Sequence, residues 1–531
     1  MNTRQHRRVF FYVVPVAAPL VFLAVLEGVF RILGVGTPSL ATDPARGFLP
    51  FNNLLEERET VGGGWELVVK TPPVELPFMN LRQFNPQSVV TPKPPDEFRI
   101  VVVGGSVVYG WPYDDRVSFP RLLEVGLRAA EPAVRWRVIN MGAPGWGSTR
   151  LRSIADELQR LQADVAVVVS GNNEAIEAAF AREVFADREG RVRSLSWVTR
   201  HSHVMSLLVS VFGRIRASGK LKTDSLGRAE LELSALVAAR PELIDIYVRN
   251  LRDLTEKFKQ AGANVVLGTV PVNLRTCPPL MRDAPGEKFG PVDQQVVATY
   301  RRAALLANQD ENSAALEILS ELVRRCSTSA RVRFLYARCL EGAGRPEAAQ
   351  KAYGKALELD SSMMRAFGAL NLRVEQLASE QGVVLADFVR GLAAHSEHQV
   401  PGDDMFLDNC HLTRVGSALI AELLAETLVS SSLVAMESPW KPKFHTAVED
   451  YLRELKVPLN LRIEALKFLM FYYRSMNVDD RRAWNVQSKI QILDPRFQHA
   501  TRKFREHFFL RTSPTAVGES LAEPVSGAAG Q

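Results

Sequence analysis

The chain is poor in the residues that usually mark a metal or redox centre. Its 531 residues include only four cysteines, Cys277, Cys326, Cys339 and Cys410. Their spacing is too irregular for a disulfide framework, and none stands in a C-x-x-C pair, so zinc-ribbon and dithiol chemistry are not expected. An excess of one charge is also missing. Lys and Arg number 65 against 59 Asp and Glu, a net charge of +6 with no compact basic run. A nucleic-acid partner is therefore not expected. The mild basic balance suits a solvated surface, or attraction to anionic headgroups or acidic glycans. Two familiar loops are absent as well. Gly104, Gly105 and Gly110 do not make the G-x-G-x-x-G of a dinucleotide site. Val108 stands where a G-x-S-x-G elbow around Ser106 would need glycine.

Long apolar runs are scarce too, with one exception. Residues 9 to 26 carry no charge and follow Arg4, Arg7 and Arg8. Such a stretch approaches the ~30 Å needed to cross a bilayer. Glu27, Arg31 and bulky residues follow it in place of a small-residue cleavage site, so residues 1–36 are expected to be an uncleaved anchor. Positive residues ahead of the span would keep the N-terminus inside and send the rest to the outer, periplasmic or extracytoplasmic, side.

What is present is an α/β rhythm. Residues 37–97, rich in Pro, Gly and Asn, are expected to be an extended, partly β lead-in. Apolar runs at 98–103, 136–140, 164–170, 264–270 and 383–388 then read as buried parallel strands, with helical patterns between them. The expected fold is a doubly wound α/β sheet with helices on both faces. Residues 182–230 interrupt it with basic residues around VMSLLVSVF, an ordinary helical insertion or a membrane-contacting flap. Residues 291–362 interrupt it again. There Ala315, Leu319 and Leu322 each precede Ala349, Tyr353 and Ala356 by 34 residues, and GRPEAAQKAYGKALELD resembles the second helix of a tetratricopeptide repeat. The α/β pattern returns over 363–430, a helical region spans 431–511, and 512–531, which lacks bulk, is expected to be disordered.

Three strand-end segments and one late loop carry polar chemistry. Ser106 follows the first apolar run in VVVGGSVVYG, where a strand tip points its side chain into the crevice of an open sheet. A serine hydroxyl there is a weak nucleophile until a base takes its proton. Asp408 and His411 in DNCHLT offer that base and its orienting carboxylate, three residues apart as on one helical turn. Gly145 in NMGAPGWGS can present an open N–H, and Asn173 in SGNNE an amide, as donors to an oxyanion.

These segments, in this order, resemble the SGNH/GDSL hydrolase family. Gly104, Gly105 and Ser106 match its first block, with Gly105 in place of Asp; Asn140 and Gly145 match the second; Gly171 to Glu174 match the third, with Glu174 in place of Asp; and Asp408 to His411 match D-x-x-H. Both LRQFN before the first strand and Leu412, Thr413 and Gly416 look like its flanks. The resemblance covers about 98–290 and 363–425, and implies a flavodoxin-like SGNH domain. It implies a triad of Ser106, Asp408 and His411, with an oxyanion hole of Ser106, Gly145 and Asn173, and no metal or organic cofactor. An esterase or deacetylase on an envelope glycan or lipid is the first expectation, and an O-acyltransferase on the same residues the second. A non-catalytic scaffold that binds a protein through its repeat-like helices is the third. Cys410 is expected to pack, while Trp111 and Trp146 are equally suited to line a sugar subsite or to pack.

Overall fold

A computed structural model describes residues 3–38, 48, 54–71, 73–76, 79–185, 189–219, 239–279, 294–475 and 489. The chain enters through helix α1 (Thr3–Leu33). Where its side chains are described, α1 keeps Leu20, Val21, Phe22, Val25, Ile32 and Leu33 exposed. Among the described residues no helix is long and apolar enough to cross a membrane. The side chains of residues 9–16, half of the expected span, lie outside that description.

The lead-in forms five short strands, β1 (Leu55–Glu59), β2 (Trp65–Val69), β3 (Pro73–Leu76), β4 (Met79–Arg82) and β5 (Ser88–Thr91), paired as two antiparallel sheets. Leu54, Leu67, Val69, Phe84 and Val89 bury themselves in the main core, so this segment buttresses the α/β body.

The five apolar runs become β6 (Glu97–Gly104), β7 (Arg135–Gly142), β8 (Val165–Val169), β9 (Asn264–Gly268) and β10 (Val384–Ala386). They make one sheet, ordered β10-β9-β8-β6-β7, in which every pair is parallel. Strands covered on both faces can be apolar at consecutive positions, and all five residues of β8 are buried. After β6 the chain moves outward to β7, then returns to the other side of β6 for β8. The topology thus reverses at β6, which opens a crevice at the carboxyl end of that strand.

Helix α2 (Ser106–Tyr109) begins at this reversal. Helix α3 (Phe119–Ala130) opens on Ser118, whose hydroxyl accepts from the Arg121 N–H, and buries Leu122, Leu123 and Leu127. Short helices α4 (Ser148–Ser153) and α5 (Ala155–Gln159) follow β7, and α6 (Glu174–Phe185) follows β8. Where it is described, the basic insertion is helical, as α7 (Glu189–His201) and α8 (His203–Gly219). Its N–H groups at His203 and Val204 donate to Glu27 of α1, tying the insertion to the base of that helix. Helix α9 (Arg240–Gln260) ends just before Gly262, which adopts φ +85° ahead of β9.

The second insertion is four helices, α10 (Gln294–Asn308), α11 (Asn312–Arg325), α12 (Ala330–Gly342) and α13 (Pro346–Leu359). The residues related by the 34-residue offset are all buried. Ala349 and Tyr353 share a cluster with Val400 and Leu274 of the α/β body, so the helices lean on it. Helices α14 (Gly368–Gln381), α15 (Phe388–Ala394) and α16 (Arg414–Ser430) complete the body. Then α17 (Trp440–Glu454) sets Phe444 against Gly126 of α3, where a Cβ would meet the ring at 2.2 Å. The last described helix is α18 (Leu459–Ser475). The expected disordered tail, 512–531, lies outside the described residues.

Candidate active site

Ser106 is the first residue of α2, directly after β6. The strand ends because Gly104 and Gly105 permit a turn that side chains would block. A Cβ on Gly104 would stand 2.2 Å from the Val169 carbonyl. At Gly105 it would stand 2.7 Å from Asn173 Nδ2 and 2.9 Å from the Trp146 carbonyl. The glycine at the usual Asp position is therefore a requirement of this site, since Asn173 occupies the space of a side chain.

His411, with Asp408 behind it, reaches Ser106 across a sequence distance of 305 residues. Their local conformation differs from expectation. Residues 407–410 bend in a loop before α16, and 408–411 make no helical turn. The reason is the Asp408 carboxylate, whose Oδ1 accepts the N–H groups of Cys410 (2.9 Å) and His411 (2.8 Å) and folds the chain around itself. The loop is fastened further by Asn273, whose amide donates to the Asp408 carbonyl at 2.8 Å. Asp408 Oδ2 lies 2.6 Å from His411 Nδ1, and His411 Nε2 lies 2.8 Å from Ser106 Oγ. With Nδ1–H donating to Asp408, a neutral imidazole turns its Nε2 lone pair to the serine hydroxyl.

Ser106, Asp408 and His411 are 6%, 2% and 8% exposed, so their interactions are shielded from water. Burial alone would lower the basicity of His411. The neighbouring Asp408 charge, the Cys410 thiol and the hydrogen bond to Asp408 outweigh it and push the pKa up to about 10. Burial raises the Cys410 thiol, which disfavours its thiolate and suits a packing role. The donor atoms of Asp408, Cys410 and His411 come within 4.8 Å of one another and could hold a metal, at the cost of the Asp408–His411 bond.

Asn173 Nδ2 lies against Gly105, next to the serine, and Gly145 offers a second candidate donor. Gly145 adopts φ +73°, and the position its Cβ would take is open. The Asn173 amide donates one hydrogen to the Trp146 carbonyl at 2.9 Å, leaving its second N–H for a ligand. Among the described residues, the N–H groups of Ser106 and Gly145 have no protein acceptor. Three donors so placed can converge on an oxyanion beside Ser106 Oγ.

The sequence placed Glu174 in the third block, but Glu177 and the network that holds this cradle were missed. Glu174 and Glu177, on the first turn of α6, are buried and face the start of α4. Glu177 accepts from the N–H groups of Gly147 (3.0 Å) and Thr149 (2.8 Å) and from Arg150 Nε at 2.7 Å. Arg150 in turn donates to the Gly145 carbonyl. Glu174 accepts from the hydroxyls of Ser148 (2.7 Å) and Ser170 (2.8 Å). Burial, then the charge of Glu177, pushes the Glu174 pKa up to about 7. A second acid three residues after Glu174 was the available signal for Glu177, but spacing alone does not separate a buried pair from a solvated face.

Asn140 is structural: its amide donates to Asp115 at 2.7 Å and its oxygen accepts from the Gly142 N–H at 2.9 Å. In the LRQFN segment, Phe84 stands edge-on to Trp146, and Asn85 donates to the Tyr109 carbonyl at the end of α2. Trp146, 2% exposed, is thus a packing residue, and Trp111, 5% exposed, lies beside His411. Neither presents the open face a sugar subsite needs. A cavity of ≈ 530 Å³ lined by Leu385, Phe388, Leu423 and Trp440 shares no residue with the triad.

No protein-family model matches the chain, and no curated protein does. Among solved structures it is similar to a lipolytic protein of the G-D-S-L family from Desulfitobacterium hafniense, at 10% identity and TM-score 0.28, over 62% of this chain and 99% of that one. It is similar to a GDSL-like lipase from Bacteroides thetaiotaomicron at 11% identity and TM-score 0.28, over 63% and 88%. A catalytic mutant of an acetylxylan esterase from Geobacillus stearothermophilus follows at 12% identity and TM-score 0.29, over 62% and 94%. At these scores the likenesses carry no weight for the chemistry, which rests on the chain's own residues.

Proposed function

We propose that the chain is a serine ester hydrolase of the SGNH/GDSL type. One observation carries this reading: Ser106 Oγ, His411 and Asp408 form a continuous, buried relay with links of 2.8 Å and 2.6 Å. In the mechanism, His411 Nε2 takes the Ser106 proton as Oγ attacks an ester carbonyl, and Asp408 stabilises the resulting imidazolium. The N–H groups of Ser106 and Gly145 and the free N–H of Asn173 receive the negative charge on the carbonyl oxygen. His411 then passes its proton to the leaving alkoxide, which departs and leaves an acyl group on Ser106. A second hydroxyl, deprotonated by His411, attacks this ester, and the proton returns to Ser106 as the acyl group leaves.

The second hydroxyl is water in a hydrolase and a sugar hydroxyl in an O-acyltransferase. The transferase reading draws support from the low exposure of Ser106 and His411, because shielding from bulk water lengthens the life of an acyl-enzyme. The proposed substrate is an acylated envelope glycan or lipid, on the outer side of a membrane to which α1 tethers the enzyme. What supports the tether is the outward-facing apolar side chains of α1, which water would not tolerate as a continuous surface.

Hydrolysis of p-nitrophenyl acetate by the full chain, beside Ser106→Ala, tests the reading. Loss of about a thousandfold or more in kcat is expected. Equal rates for the two proteins would sink it.

A further inference from the structure

The last described helix does not belong to the α/β body, yet it reaches the catalytic imidazole. The Phe468 ring of α18 stands edge-on to His411, with 5.8 Å between centroids and 82° between planes. It stands edge-on to Trp111 as well, at 4.9 Å and 89°. Trp111 and His411 are themselves 6.2 Å apart, so three rings close on one another around the imidazole. Ala465, Leu469 and Met470 of the same helix are buried, and Ile463 and Leu466 pack beside Met470. Nothing in the proton relay requires this phenyl group, because Asp408 and Ser106 already fix both ring nitrogens of His411. Its effect is to fill the space beside the imidazole with an apolar wall.

We propose that α18 caps the triad and that Phe468 is a specificity-determining residue which limits the acyl group to a short, acetyl-sized chain. The proposal rests on the serine-hydrolase reading and names the acyl class that site accepts. A longer chain would have to displace a ring packed against Trp111 and His411, and apolar walls discriminate by ~10–200-fold for a misfitting methylene. Replacing Phe468 with a small side chain removes part of this apolar wall and leaves room in which further methylenes can be accommodated.

The test uses the full chain in detergent, comparing wild type, Phe468→Ala and Phe468→Leu on p-nitrophenyl acetate, butyrate and hexanoate. The quantity read is the ratio of kcat/KM for hexanoate to that for acetate, from which the fraction of folded enzyme cancels. Phe468→Ala is expected to raise this ratio by about tenfold or more, and Phe468→Leu by less. An unchanged ratio in both variants would overturn the proposal. Fluorophosphonate labelling of Ser106 in the same wild-type preparation separates two failures. Labelling with an unchanged ratio removes the cap alone; absence of both labelling and turnover removes the hydrolase reading and the cap with it.

Discussion

Two buried carboxylates stand at the same edge of the sheet, Asp408 in the loop before α16 and Glu174 at the start of α6, and their surroundings differ. Asp408 faces an imidazole and raises its pKa to about 10. Glu174 faces a second carboxylate, Glu177, and its own pKa rises to about 7. A buried charge beside a base stores proton affinity for a reaction. A buried charge beside its like competes for one proton and is tolerated only because backbone N–H groups and hydroxyls solvate it. The first arrangement supplies chemistry, and the second holds the loop that the chemistry leans on.

Substitutions can separate these roles. Asp408→Asn keeps the shape but removes the charge that fixes the imidazole tautomer, and a loss of about 10⁴-fold in kcat is expected. Glu177→Gln should cost less, about 10- to 100-fold, because it loosens Gly145 through Arg150 without removing an oxyanion donor. That loss should fall on kcat more than on KM, whereas a merely structural role would lower the amount of active enzyme. Gly105→Ala, tested by thermal unfolding, should destabilise by about 1–3 kcal/mol by driving a methyl group into Asn173. Glu174→Gln should have the smallest effect on rate, and its signature should be in the pH dependence of stability.

The sign of that dependence follows from the direction of each shift. Glu174 titrates at about 7 in the folded chain against 4.5 for a free glutamate, so the stability it contributes is complete below 4.5 and is lost as pH rises toward 7. Glu174→Gln should flatten that part of the profile. His411 titrates at about 10 against 6.5, so its contribution is complete below 6.5 and is lost between there and 10. Catalysis requires the neutral imidazole and should run the other way, with kcat/KM rising across the same alkaline window. Parallel urea unfolding and initial-rate measurements from pH 6 to pH 10 check this opposition.

The five strands were legible as short apolar runs, clearest in β8, where all five residues are β-branched or alanine and buried. Ser106, Gly145, Asn173, Asp408 and His411 were legible by residue type and order, and the fold brings them together at the reversal around β6. Their support was less visible. The loop at 408–411 looked like a helical turn, because spacing does not reveal that a carboxylate bonds the backbone ahead of it. Glu177 does not stand out in the sequence, since only burial distinguishes it from a solvated helix acid. Phe468 was hidden among the apolar residues of a terminal helix, whose docking site is set by tertiary packing and not by its own pattern.

The central claim, that Ser106 is activated by His411 and Asp408 to carry an acyl group, is tested most directly by mass spectrometry of the protein quenched during turnover of p-nitrophenyl acetate. The account predicts one acetyl adduct, on Ser106, that is lost in His411→Ala. An adduct on another residue, or turnover with no adduct in wild type and undiminished rate in His411→Ala, would contradict it.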